Sequence, residues 1–147
     1  MLGEETFVAR TGYTGEDGVE ILLSADTGIK LWDKLLESGV TPCGLGCRDT
    51  LRLEAGMHLY GSEMDTTTTP YEASLGWIVN STKEYIGKTI LDNQKKNGID
   101  KKLVALKLTK RNIARHDYPI MNEDIVIGKV TSGTWSPSLS VPIALET

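Results

Sequence analysis

The sequence predicts an α+β fold, and three stretches of the chain support this prediction. Residues 6–9 and 19–23 have the composition of two strands on either side of a glycine-rich turn. Apolar residues at helical spacing follow within residues 26–38 and 47–55. Beyond residue 100, short apolar runs alternate with Gly and Pro turns, which is typical of a small β-domain. We therefore expect a mixed first part followed by a β-rich C-terminal part.

Length and charge exclude several classes of protein. The 147 residues suffice for one domain or two small ones, and 39% of them are hydrophobic, which supports a modest core. The formal net charge of −4 argues against a nucleic-acid partner, since non-specific binding relies on basic surface. The sequence has no apolar run long enough for a membrane span, and residues 1–5 lack the features of a signal peptide.

The glycine-rich turn is either a simple hairpin loop or part of a functional site. Gly12, Gly15 and Gly18 recur every third residue, which is compatible with the hairpin loop. The spacing differs from a phosphate-binding loop and from a dinucleotide fingerprint, and a strand rather than a helix follows. Tyr13 and Glu20 are the residues here that offer chemistry. Glu20 places a carboxylate in a strand, where charged residues are depleted, so its face meets either water or a polar pocket.

A helix is expected after the second strand. Asp26 can act as its N-cap, and Gly39 is a natural stop. Trp32 is expected in the core, because the helix has one apolar face, formed by Ile29, Trp32, Leu35 and Leu36.

A second helix is predicted over residues 47–55. Arg48 and Arg52 lie four residues apart on one face, where like charges cost a few tenths of a kcal/mol. Salt bridges to Asp49 and Glu54 can offset this cost. An anionic ligand or a partner strand is the functional alternative.

The segment after the second predicted helix is expected to be irregular. Residues 62–70 contain four threonines and a proline, which makes a continuous helix improbable. Trp77 either stacks on a ligand or fills the core, and the core is the usual place for a Trp in an apolar run. A short helix is expected over Thr89–Lys96. The later strands are predicted at residues 103–108, 118–121, 125–131, 134–137 and 141–145.

The cysteines do not indicate a metal site. Cys43 and Cys47 are separated by three residues, and His58 and His116 lie in different sequence contexts. This arrangement does not match the spacing of a structural zinc site, which needs four ligands. Reduced structural thiols are the expected state.

Five motifs in a fixed order point to a known family. The five motifs occupy Arg10–Ile21, Gly44–Gly56, Leu59–Gly61, Pro70–Trp77 and Thr131–Pro137. The first motif reads RTGYTGEDGVEI and the last reads TSGTWSP. In this combination the chain resembles the T-protein of the glycine cleavage system, an aminomethyltransferase that uses tetrahydrofolate. The resemblance extends over nearly the whole chain.

The resemblance implies a division of the chain. Residues 1–83 correspond to the C-terminal part of the family's folate-binding α+β region, residues 84–100 to a helix and linker, and residues 101–147 to a C-terminal β-barrel domain clipped at its end. The family's N-terminal portion, with an aspartate regarded as catalytic, has no counterpart here. We therefore expect a truncated chain and assign no catalytic residue.

The resemblance also implies an activity and a site. In the family, the lipoyl-bearing H-protein presents an aminomethyl group, the one-carbon unit passes to tetrahydrofolate, and ammonia is released. Glu20 and Tyr13 match the residues that hold and line the pterin. Arg48 and Trp77 match residues that line the folate, while Arg52 is the less certain, more structural partner.

Other interpretations remain beside this one. The chain could be a non-catalytic folate-binding or regulatory relative, or a structural fragment that needs an N-terminal partner. Exposed strand edges and a partly covered face at Trp32, Leu35 and Leu36 predict self-association. The expected location is the cytoplasm, or the mitochondrial matrix in a eukaryote.

Overall fold

The computed structural model describes residues 2–147. In these residues the helices are α1 (Ala25–Glu37), α2 (Leu45–Glu54) and α3 (Lys88–Asn97), with a 3-10 turn at Gly76–Ile78. The strands are β1 (Phe7–Ala9), β2 (Glu20–Leu22), β3 (Val104–Lys107), β4 (Pro119–Asn122), β5 (Ile125–Ser136) and β6 (Val141–Glu146). The predicted α+β class is confirmed. The chain divides into two units, the first ending at Ala55 and the second comprising Gly56–Thr147.

The first unit begins with an antiparallel hairpin. Phe7 of β1 lies opposite Leu22 of β2, and Ala9 lies opposite Glu20. Because side chains alternate along a strand, these four residues share one face of the hairpin. The predicted pair of strands joined by a glycine-rich turn is therefore confirmed.

Helix α1 is capped by a different residue from the one predicted. Ser24 is the N-cap, and its hydroxyl oxygen accepts a hydrogen bond from the main-chain N–H of Thr27 at 3.4 Å. The prediction of Asp26 as the cap is wrong, because the helix begins at Ala25 and Asp26 already lies in its first turn.

The same N-terminus also engages Glu4. The Ser24 hydroxyl donates to Glu4 Oε2 at 2.9 Å. Hydrogen bonds from Thr27 and Ser24 hold the pKa of the Glu4 carboxyl below its ordinary value. Since the folded-state pKa is depressed, the stability from this carboxylate is present above the ordinary glutamate pKa. It is lost as the pH falls through the depressed value.

The apolar face of α1 is only partly covered. Trp32 is 54% exposed, and Leu35 and Leu36 are also exposed. The prediction that Trp32 belongs to the core is therefore wrong, and the predicted partial coverage of this face is confirmed. The hairpin that accompanies α1 in the first unit has strands of three residues each, too short to cover such a face.

Helix α2 begins two residues earlier than predicted. Gly44 is its N-cap in an extended conformation, with φ −84° and ψ 175°, and Leu45 is the first helical residue. The helix ends at Glu54, close to the predicted end.

The second unit is built on a four-stranded antiparallel sheet. Its strand order is β3-β6-β5-β4, which places β3 and β4 at the edges. The buried residues of the unit include the apolar Leu103, Val130 and Leu145 and also the polar Glu63 and Ser136. Residues 125–131 and 134–136, predicted in separate pieces, belong to the single strand β5, and Pro137 lies beyond its end. A register shift between Val130 and Ser132 accommodates an extra residue, so that pairing continues along the strand.

The irregular segment before α3 is held by hydrogen bonds from side chains to the main chain. His58 Nε2 lies 2.6 Å from the carbonyl oxygen of Ala73, and the Ser74 hydroxyl donates to the carbonyl of Leu103 at 2.7 Å. The prediction of irregular structure at residues 62–70 is confirmed. These bonds replace the regular ladders of helices and sheets.

Replacing Ser24 by alanine should lower the free energy of unfolding by about 1 kcal/mol, because the Thr27 N–H loses its acceptor. The control is Asp26→Ala, which removes only the dipole interaction and should cost about 0.3–0.5 kcal/mol. Urea unfolding followed by circular dichroism measures both values. A larger loss for the Asp26 variant would contradict the assignment of the cap.

Candidate functional site

The turn between β1 and β2 lies close to helix α2. Gly15 has φ 73°, a conformation that favours glycine. A Cβ atom on Gly15 would lie 2.6 Å from the Cβ of Ala55, just beyond the end of α2. The close approach of the turn to this helix therefore requires the absence of a side chain at position 15.

This packing brings Tyr13 and Arg48 together. The guanidinium carbon of Arg48 lies over the Tyr13 ring, 4.9 Å from its centroid. That distance is within the range of a cation–π interaction, which is worth about 0.5–1 kcal/mol at an exposed site. Two of the predicted site residues thus form one aromatic and cationic surface, although they lie 35 positions apart in the sequence.

Glu20 is held at the start of β2. Its Oε2 accepts a hydrogen bond from the Thr11 hydroxyl at 2.7 Å, across the mouth of the turn. The side chain is exposed and stands on the face of the hairpin that carries Phe7 and Leu22. An ionised carboxylate has about four acceptor positions, so the bond from Thr11 leaves capacity for a ligand with N–H donors. Thr11 is a site residue that the sequence reasoning missed, because nothing in the motif signals a bond between its two ends.

An ion pair spans the same turn. Arg10 and Asp17 lie 2.9 Å apart, and both side chains are largely exposed. Exposed pairs of this kind contribute about 0–1 kcal/mol. We therefore regard the pair as a minor restraint on the turn.

The two arginines of α2 occupy different environments. Arg52 is 1% exposed, and its Nε lies 2.7 Å from Oδ1 of Asp49. Arg48 is exposed and lies over Tyr13. The predicted local salt bridge to Asp49 is confirmed, and Arg52 is buried within the protein rather than presented to a ligand.

Trp77 lies in the second unit, on the 3-10 turn Gly76–Ile78. Its side chain is 82% exposed, so the expectation that it fills the core is wrong. The main chain is tight at this point, since a Cβ atom on Gly76 would lie 2.7 Å from the Tyr71 ring. An exposed indole on a constrained turn can serve as a stacking surface.

The second unit also contains a groove that the sequence did not indicate. It has a volume of about 650 Å³ and is lined mainly by apolar residues, among them Ile78, Tyr85, Ile86, Ile90 and Leu91. The Tyr85 hydroxyl is buried there and has no hydrogen-bond partner among the described residues. The isoleucines are individually visible in the sequence, but their convergence depends on how residues 66–91 fold.

Charged residues cluster on another part of the second unit. Lys129 Nζ donates to Asp117 Oδ1 at 3.0 Å, and this bond lowers the pKa of the Asp117 carboxyl. The Thr67 hydroxyl and N–H lower the pKa of Asp65 in the same way. These carboxylates remain ionised at neutral pH and find their partners within the unit. No group of three or more metal-ligating side chains occurs among residues 2–147.

The helices of the described chain are not membrane spans. None between residues 2 and 147 combines the length and the apolar character that crossing a bilayer requires.

Two family models match the chain. Residues 1–83 match the GCVT N-terminal domain, and residues 101–145 match the glycine cleavage T-protein C-terminal barrel domain. The first match covers more than half of the sequence.

Individual bacterial proteins are also similar to this chain. The aminomethyltransferase of Synechococcus sp. (strain CC9311) is 61% identical over 141 residues, which are 95% of this chain and 38% of that protein. The aminomethyltransferase of Prochlorococcus marinus (strain MIT 9313) is 59% identical over 141 residues, again 95% and 38%. The chain thus spans about two fifths of the length of these relatives.

A solved structure is also similar. The crystal structure of glycine cleavage system aminomethyltransferase T from Bartonella henselae superimposes with a TM-score of 0.89 at 37% sequence identity. The match covers 96% of this chain and 41% of that one.

Replacing Arg52 by alanine should destabilise the first unit by about 3 kcal/mol, because the buried guanidinium of Arg52 and its hydrogen bonds are lost together. The matched control on the same helix is Arg48→Ala, which should cost about 0.5–1 kcal/mol. Thermal unfolding of the two variants measures the difference. Equal losses would contradict the different roles assigned to the two arginines.

Proposed function

Because the chain belongs to the glycine cleavage T-protein family, we propose that it supplies a folate-binding surface of an aminomethyltransferase. In this proposal the enzyme transfers a one-carbon unit from an aminomethyl group on the lipoyl arm of H-protein to tetrahydrofolate. Ammonia is released in the transfer.

The observation that supports this proposal is the arrangement of Tyr13, Arg48 and Glu20. The stacked Tyr13 and Arg48 offer a flat, cationic surface, which suits an aromatic ring and an anionic tail. Glu20 offers a fixed carboxylate, which can accept hydrogen bonds from the donor-rich edge of a pterin. Folate combines these three chemical features in one molecule.

Trp77 is proposed as a further folate-binding residue. Its exposed ring can stack on an aromatic part of the substrate. This role comes from its match to the family pattern.

The proposed contribution of this chain to catalysis is binding and orientation. A folate nitrogen must lie within reach of the aminomethyl carbon before the bond to it can form, and holding two reactants in position removes much of the barrier. Glu20 would fix the pterin edge, and Tyr13 with Arg48 would fix the plane of a ring. We assign no proton-transfer residue to this chain.

Domain organisation and location complete the proposal. Residues 1–83 would form the folate-binding region, residues 84–100 a helix and linker, and residues 101–147 the C-terminal β-barrel domain. The ranges of the two family models, 1–83 and 101–145, support this division. The relatives named above come from bacteria, which supports the cytoplasm as the place of action.

A non-catalytic folate-binding role is the alternative. The observation that favours it is that the Tyr13–Arg48 stack and the Glu20 carboxylate offer groups that bind and orient a ligand. A transfer assay with aminomethyl-loaded H-protein separates the two roles, when it is run with and without the part of a relative that this chain does not match. Folate binding without transfer in either mixture would favour the binding module.

Tetrahydrofolate binding should depend on Glu20. Replacing Glu20 by glutamine should weaken binding by about tenfold or more, because hydrogen bonds to a charged group contribute about 1.5–3 kcal/mol. The control is Glu16→Gln in the same turn, an exposed residue that should leave affinity unchanged. Isothermal titration calorimetry measures both constants. Equal affinities for the wild type and the Glu20 variant would rule out the proposed pterin contact.

The isolated chain should self-associate through the β1–β2 hairpin. Phe7 is 66% and Leu22 is 63% exposed on one face, and such apolar strand surfaces promote association. Phe7→Lys should shift the chain toward monomer in sizing with light scattering. Leu45→Lys, which changes an exposed leucine outside the hairpin, should not. A wild-type chain that is monomeric at all concentrations would contradict this prediction.

A further inference from the structure

A cavity in the second unit has a cationic lining. It has a volume of about 330 Å³ and lies where the end of α3 meets the segment before β3. Lys95 of α3 and Lys102 of that segment both line it, and none of the described residues around it carries a carboxylate. Tyr71 and Ile99 form part of the remaining wall. The lining therefore favours an anion that also has an apolar part.

The two lysines are available to a ligand. Both are exposed, and neither forms a salt bridge or a side-chain hydrogen bond with the residues that the structure describes. They differ in this from Lys88 on α3, whose Nζ lies 3.2 Å from Oδ2 of Asp92. Two unpaired ammonium groups beside one cavity repel each other, and an anion in the cavity offsets this repulsion.

The main chain next to Lys102 is fixed. The N–H of Leu103 donates to the carbonyl oxygen of Glu72 at 2.7 Å, and the Leu103 carbonyl accepts from the Ser74 hydroxyl at 2.7 Å. Leu103 itself is buried. The helix dipole favours a lysine at position 95, in the last turn of α3, but it does not account for Lys102, which lies outside the helix.

A polar group of the lining lacks a partner. Gln94 lines the cavity, and its Oε1 is buried without a hydrogen-bond partner among the described residues. An unpaired buried acceptor costs free energy. A rotation of the terminal amide that brings this oxygen to a ligand N–H or O–H relieves that cost. The cavity thus supplies an acceptor beside its two cations.

We propose that this cavity binds a small phosphorylated molecule of the nucleoside monophosphate class. The phosphate lies between Lys95 and Lys102, since an ammonium group binds phosphate as a point charge. An N–H of the base donates to Gln94 Oε1, and the base lies against Tyr71 and Ile99. A volume of about 330 Å³ is near the lower end for small-molecule sites, which suits a ligand of this size. None of the proposed folate-binding residues takes part.

Isothermal titration calorimetry with adenosine 5′-monophosphate tests the site. The wild type should show saturable binding of one equivalent. Lys95→Met and Lys102→Met should each weaken binding by about tenfold, the loss expected for one hydrogen bond to a charged group. The matched controls are Lys96→Met in the same turn of α3 and Lys101→Met beside Lys102, which remove the same charge outside the lining and should leave affinity nearly unchanged. Absence of saturable binding, or equal losses in all four variants, would overturn the proposal.

Inorganic phosphate separates the two parts of the ligand. The chain should bind it about tenfold or more weakly than the nucleotide, because the contacts of the base are absent. Gln94→Met removes only the acceptor, so it should weaken nucleotide binding by about tenfold and leave phosphate binding unchanged. Equal affinities for phosphate and nucleotide would overturn the nucleoside assignment. A Gln94→Met variant that binds the nucleotide as tightly as the wild type would overturn the contact to the amide.

Adenosine tests the role of the charges. Without its phosphate the ligand should bind at least about tenfold more weakly, because both lysine contacts are lost. Raising the salt concentration from about 10 mM to about 150 mM should weaken nucleotide binding, since dissolved ions screen exposed charges. Adenosine that binds as tightly as the nucleotide, or nucleotide binding that does not respond to salt, would contradict a phosphate held by the two lysines.

Discussion

The close packing of the glycine-rich turn against the end of helix α2 is the constraint on which the first unit depends. Gly15 adopts a left-handed conformation, and any side chain there would collide with Ala55. This contact brings the turn toward the helix, so that Tyr13 reaches Arg48. The same turn joins the two strands, and its ends are tied by the bond from Thr11 to Glu20. One close approach thus positions every proposed folate residue of the first unit.

The two arginines of helix α2 have different roles, which the sequence alone does not distinguish. Arg52 is buried beside Asp49 and stabilises the fold, whereas Arg48 is exposed and stacks on an aromatic ring. A buried guanidinium needs partners to offset its desolvation, and Asp49 is one of them. The exposed arginine has its charge available for a ligand.

Much of the fold could be predicted from the sequence, since its elements follow local patterns. The hairpin, the helices and the β-rich end were all predicted from periodicity and turn residues. The failures have physical causes. Ser24 caps α1 because the helix begins one residue before Asp26. Trp32 and Trp77 are exposed because burial depends on what packs against a face, which an apolar pattern does not specify.

The candidate site was predicted less completely. The sequence singles out Tyr13 and Glu20 by their chemistry and Arg48 by its spacing from Arg52, and the family resemblance implies their folate roles. Nothing in this spacing predicts a stack between Tyr13 and Arg48. The bond from Thr11 to Glu20 depends on side-chain geometry, which no pattern of residue types encodes.

The central claim is that the turn and helix α2 form one wall of a folate site. Nuclear magnetic resonance of the isotopically labelled chain, titrated with tetrahydrofolate, tests it most directly. The account predicts saturable shifts of main-chain amides in residues 11–20 and around Arg48, with the shifts at both places giving the same dissociation constant. Shifts that leave both of these places unchanged would contradict it.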